Sequence, residues 1–106
     1  MAEAEFKETL VARVRDALRE VIDPELGINV VDLGLVYRID AEPDRLSVAM
    51  TMTTRACPLG EHLAAQAEAA IRRAAPQIAE VQVRLVWDPP WSPDLMSPDA
   101  KRRLGW

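Results

Sequence analysis

The stretch Leu33-Gly34-Leu35-Val36-Tyr37-Arg38-Ile39-Asp40, continued by Ala41-Glu42-Pro43-Asp44 and then by Leu46-Ser47-Val48-Ala49-Met50-Thr51-Met52-Thr53, decides the fold. From Val30 onward, Leu33, Leu35, Tyr37 and Ile39 alternate with Gly34, Val36, Arg38 and Asp40. That period of two sends successive side chains to opposite faces of a strand. Leu46, Val48, Met50 and Met52 repeat the pattern against Ser47, Ala49, Thr51 and Thr53. Between the runs, Ala41 to Asp44 has the composition of a turn. Two such runs across a short turn predict a hairpin with one buried face.

Upstream the period lengthens. Phe6, Leu10, Val14, Leu18 and Ile22 recur at every fourth position, widened by Ala17 and Val21, and predict an amphipathic helix over 4–22. Asp23 is expected to end it, because a residue before proline is pushed out of the helical region, and Gly27 then turns the chain. Downstream, Pro58 to Ala75 reads as a second helix broken by Pro76, with Leu59, Leu63, Ala67, Ala70, Ile71 and Ala74 facing inward. Glu80 to Trp87 reads as a third strand, with Val81, Val83, Leu85 and Trp87 on one face. Asp88-Pro89-Pro90-Trp91-Ser92-Pro93 is too rich in proline for regular structure. Ser97-Pro98-Asp99 then opens a last short helix that Lys101-Arg102-Arg103 and Gly105 close.

The order α-β-β-α-β, with a proline- and tryptophan-rich tail and a short C-terminal helix, gives an α+β fold. It is a two-layer α/β sandwich on a mixed three-stranded sheet, with the third strand free to join either side of the hairpin. The 106 residues make one domain, 1–106. A net charge of −4 argues against nucleic acid and against an anionic membrane surface. No apolar run approaches the ~20 residues of a spanning helix, and the N-terminus lacks a basic-then-apolar signal pattern, so the expected compartment is the cytoplasm.

Three loops can carry chemistry. Cys57, the only cysteine, stands where a strand hands over to a helix, with Pro58 as the expected first helical residue. Free backbone N–H groups and the helix dipole stabilise a thiolate there, the form that attacks electrophiles and binds metals; the plainer reading is a small buried hydrophobe. Thr53 and Thr54 beside it are usual cap and turn residues that can also hydrogen-bond a sulfur. Asp23-Pro24-Glu25 holds two carboxylates around a rigid turn, either a solvated helix terminator or a hard-ligand pair. In the tail, Trp87 suits core sealing, while Trp91, between prolines, suggests an exposed apolar ridge for a partner; Trp106 is the third tryptophan. His62, the only histidine, lies about 500° of helical rotation beyond Cys57, so it reads as a rim residue. A histidine-based zinc site, a Cys–His hydrolase, a P-loop and a Gly-x-Gly-x-x-Gly loop all lack their residues.

Four stretches together resemble a known family: 21–29 with Asp23-Pro24-Glu25, 30–37 with Asp32-Leu33-Gly34, 50–59 with Thr53-Thr54-Arg55-Ala56-Cys57-Pro58, and 86–97 with Trp87-Asp88-Pro89-Pro90-Trp91. Their order and spacing are similar to those of the small SufT/PaaD-like domains of iron–sulfur cluster assembly. The resemblance implies an α/β sandwich and makes Asp23, Glu25 and Cys57 the positions matching the family's acidic turn and reactive cysteine. PaaD proper carries a cysteine-bearing C-terminal extension that this sequence, ending at Trp106, does not show, so a SufT-like stand-alone factor is expected.

A cluster is normally held by four thiolates, and this chain supplies one. The expectation is therefore a non-enzymatic factor with no tightly bound cofactor. It holds a labile iron–sulfur cluster or iron transiently through Cys57, shared with a second subunit of a homodimer or with a client. Its partners are assembly proteins and apo-clients. The rival readings are a metal-free adaptor using Trp91, a thiol enzyme that lacks a base, and a KH-like RNA binder that lacks both positive charge and a Gly-x-x-Gly clamp.

Overall fold

The computed structural model describes residues 3–53 and 59–105, the side chains of residues 3 and 4 excepted. Helix α1 spans Glu3–Leu18, and strands β1 (Ile22–Asp23) and β2 (Ile28–Asn29) form a two-stranded antiparallel ribbon. Strands β3 (Val36–Ala41) and β4 (Arg45–Met50) form the expected hairpin. Helix α2 (Gly60–Ala74) leads to β5 (Glu80–Leu85), which pairs parallel to β4, so the mixed sheet runs β3-β4-β5 with β4 at its centre. A 3-10 turn at Pro93–Leu95 and helix α3 (Pro98–Leu104) complete the chain.

The core follows from the alternation. Leu46, Val48, Met50 and Met52 are all buried, as the period of two requires. Helices α1 and α2 cover that face with Leu10, Val14, Leu18, Leu63, Ala67, Ala70 and Ile71. Each fully buried large aliphatic side chain contributes about 1.5–3 kcal/mol. Gly60 explains how α2 approaches so closely: a Cβ there would come within 3.2 Å of Leu85 Cδ1 and 3.3 Å of Met52 Cγ. Ser97 caps α3 through its Oγ, which accepts from Ala100 N at 3.1 Å, and Gly105 ends that helix at φ 73°. No helix of the described residues is long and apolar enough to cross a membrane.

Several expectations are corrected. Helix α1 stops at Leu18, not at 22, and Ile22 is 44% exposed. The last turn tightens into i→i−3 bonds, Glu20 N to Ala17 O and Val21 N to Leu18 O; Val21 O then accepts from Val30 N and commits the chain to the ribbon. The run from Val30 begins as turn, and β3 starts only at Val36, because Leu33 N and Leu35 N bond back to Asn29 O and Val30 O. A register shift between Val36 and Arg38 then breaks the strict alternation. Helix α2 begins at Gly60, later than Pro58, which lies outside the described residues, and Ala75 is buried where Ala74 was expected to be.

The tail is folded back onto the sheet. Tyr37 Oη donates to Pro89 O at 2.8 Å, Trp91 Nε1 to Leu33 O at 2.7 Å, and Ser97 N to Asp32 O at 2.8 Å. Trp91 is therefore a half-buried clasp packed on the core; the exposed ridge expected there does not form, and the residue that stands out is Leu95. Trp87 packs on the core as expected.

Candidate functional site

The two carboxylates of Asp23-Pro24-Glu25 have different fates. Asp23 is 2% exposed, and its Oδ1 accepts from Glu25 N at 2.8 Å and Leu26 N at 3.3 Å. Its carbonyl accepts from Gly27 N at 2.7 Å, and Gly27, at φ 69°, completes the reversal. Aspartate does this because its short side chain reaches the N–H groups two and three residues on. Asp23 thus builds the turn, while Glu25, which follows it, is exposed. The acid available to a ligand or partner is Glu25.

Cys57 and Thr54 lie outside the described residues. On either side the chain is held. Thr51 N donates to Leu35 O at 2.8 Å, Thr53 is half-buried in a bend, and Leu59 O accepts from Leu63 N at 2.8 Å in the first turn of α2. The segment that carries Cys57 therefore leaves the C-terminal end of the central strand and enters a helix of 15 residues. Ile22, immediately before Asp23, lines a groove of about 380 Å³ together with Gln66 and Ala69 of α2. The acidic turn thus adjoins the helix that follows Cys57. One turn nearer that helix's start, exposed His62 lies 3.2 Å from Gln66 through its Nε2, a rim position.

Among the described residues, no three His, Cys, Asp or Glu side chains converge as a metal site. The sequence holds one cysteine, whereas an iron–sulfur cluster is normally held by four thiolates.

Sequence reading missed Thr51. It is 1% exposed, and its hydroxyl has no hydrogen-bond partner, although alternation put it on the outer face. The hydroxyl is near Tyr37 without the geometry of a hydrogen bond. Burial, the main cause, pushes the Tyr37 phenol above its usual 10; the nearby Thr51 hydroxyl opposes the shift and the Asp88 charge adds to it. A phenol harder to ionise when folded makes the native state bind more protons than the unfolded one. Its contribution is complete below pH 10 and is lost as pH rises through the raised value. Tyr37→Phe is expected to flatten that alkaline loss of stability, read by urea unfolding across alkaline pH.

The comparisons bear on family and fold. Residues 11–85 match the family model described as iron–sulfur cluster assembly protein. The Fe-S protein maturation auxiliary factor YitW of Bacillus subtilis is 40% identical over 101 residues, 94% of this chain and 98% of that one. SufT of Staphylococcus aureus, also named an Fe-S protein maturation auxiliary factor, is 43% identical over 86 residues, 80% of this chain and 97% of its own. The crystal structure of a domain of unknown function, DUF59, from Bacillus anthracis superposes with a TM-score of 0.92 at 36% identity, covering 97% of this chain and 98% of that one.

Proposed function

The chain belongs to the iron–sulfur cluster assembly protein family, and on that premise we propose that it is a non-enzymatic maturation factor that holds or delivers iron–sulfur clusters through Cys57. The cluster is cargo. Cys57 is the exchangeable ligand, Asp23 sets the neighbouring turn, Glu25 meets iron or a partner, and Thr53 and Thr54 steady the sulfur. Apo-recipients and assembly proteins, or a second copy of this chain, complete the coordination, and the work is done in the cytoplasm. The observation that carries this reading is the groove shared by Ile22 and Gln66, which sets the acidic turn beside the helix that begins after Cys57.

The test is transfer under anaerobic conditions to an apo-enzyme that needs an iron–sulfur cluster for activity. Cys57→Ser is expected to restore recipient activity no faster than the reaction without the protein. Equal recovery with wild type and variant removes Cys57 from the mechanism.

A second reading is a metal-free adaptor that recruits apo-clients to the assembly machinery, favoured by the exposed Leu95 on the tail. Anaerobic reconstitution followed by iron analysis separates the two. Iron far below stoichiometry and indifferent to Cys57 selects the adaptor. In that case the half-buried Trp91 acts by holding the tail that presents Leu95.

A further inference from the structure

The helices cover one face of the sheet, and the tail covers only the Thr51 and Tyr37 end of the other. The rest is open. Its middle is a row fixed by register: Arg38 on β3 opposes Ala49 on β4, and Ala49 opposes Arg84 on β5. Two exposed guanidinium side chains therefore flank one small residue, their strands separated by two spacings of about 4.8 Å each. Ser47 continues the low floor in the next row. A cavity of about 620 Å³ adjoins these rows at Arg38, Ser47 and Arg84 and extends to Lys7 of α1, with Arg45, Asp40 and Glu42 also in its wall. Arg38 is tied to Asp40 at 2.9 Å and Arg45 to Glu42 at 3.4 Å, whereas Arg84 has no ion pair among the described residues. A chain with 17 acidic and 13 basic residues thus leaves an uncompensated arginine at the centre of an open face.

We propose that this face docks an acidic polypeptide segment, a carboxylate of which seats over Ala49 between Arg38 and Arg84. The occupant follows from charge and size. A second copy related by a two-fold axis would set these arginine rows against each other, and like charges brought together in an interface are costly. Nucleic acid needs many phosphate contacts, and the arginines here are few, two of them already paired. At about 620 Å³ the cavity is of the roughly 300–1,000 Å³ size of ligand pockets, with room for the side chains of a peptide. Arginine's planar fork matches a carboxylate with two hydrogen bonds, which gives the contact direction as well as strength. The proposal does not depend on cluster transfer.

The probe is a short fluorescent peptide of alternating glutamate and alanine, titrated at about 0.1 M and about 1 M salt, where charges are screened over about 10 and about 3 Å. Wild type and Cys57→Ser are expected to bind it equally, and binding is expected to weaken at high salt. Arg38→Glu combined with Arg84→Glu, both exposed, should keep the thermal midpoint and lose at least about tenfold in affinity. Arg84→Gln alone should lose part of it. The proposal is overturned by absent binding, by binding that the variants leave intact, by equal binding of a lysine–alanine peptide, by displacement with inorganic phosphate at peptide-like concentrations, or by dimerisation that the charge reversal abolishes.

Discussion

Gly34→Ala is expected to destabilise the fold by about 3 kcal/mol or more, a large share of the roughly 5–15 kcal/mol that holds a domain of this size together. Two causes add. Gly34 has φ 76°, a left-handed conformation in which a side chain is strained. An added methyl would also overlap the carbonyl oxygen of Leu95 and stand 2.8 Å from Leu95 Cβ, so the 3-10 turn would have to lift away. That turn is anchored at both its ends, by Trp91 on Leu33 O and by Ser97 N on Asp32 O, the two residues just before the same glycine, so lifting it strips both bonds. Gly27→Ala is the control. It has φ 69° with nothing within 4 Å of the new methyl, and should cost only the conformational part, about 1–2 kcal/mol. Urea unfolding of the two variants measures the difference. If they lose the same stability, the tail does not press on Gly34.

The second large effect is at Asp23. Asp23→Ala would leave the N–H groups of Glu25 and Leu26 without their acceptor, at a cost of about 1–3 kcal/mol. Asp23→Asn keeps an oxygen in the same place and should stay within about 1 kcal/mol of wild type. Glu25→Gln, on an exposed side chain, should leave stability unchanged. Denaturant midpoints of the three variants order them. A destabilised Glu25→Gln, or an Asp23→Asn as damaged as the alanine, would contradict the division of labour between the two acids.

The hairpin was legible because burial on one face writes itself into Leu46, Val48, Met50 and Met52 with a fixed period. The cap at Ser97 was legible because its partner, Ala100 N, is three residues away. Misreadings cluster where the deciding contact is distant or competes with propensity. Ile22 continues the helical stripe perfectly, yet Val21 O finds Val30 N instead of a helical partner. Trp91 between prolines looked like a free ridge because its acceptor, Leu33 O, lies 58 residues earlier.

Gly34 did carry a signal. A glycine inside a strand pattern often marks close approach by another backbone, and here that backbone is Leu95. For the acidic turn, composition named both carboxylates but not which would be buried. An aspartate just before a turn tends to bond its own backbone, and that preference assigns Asp23 to architecture and leaves Glu25 outside. Arg38 and Arg84 were invisible as a pair, since only the parallel placing of β5 beside β4 puts them in one row.

That parallel pairing has one more consequence. Strands β4 and β5 run the same way, so the chain departs from both at one rim of the sheet. From the first it continues toward Cys57, from the second into the clasp closed by Tyr37 and Trp91. The clasp therefore braces the same rim of the sheet from which the chain runs on toward Cys57, and the two departures share one mechanical support.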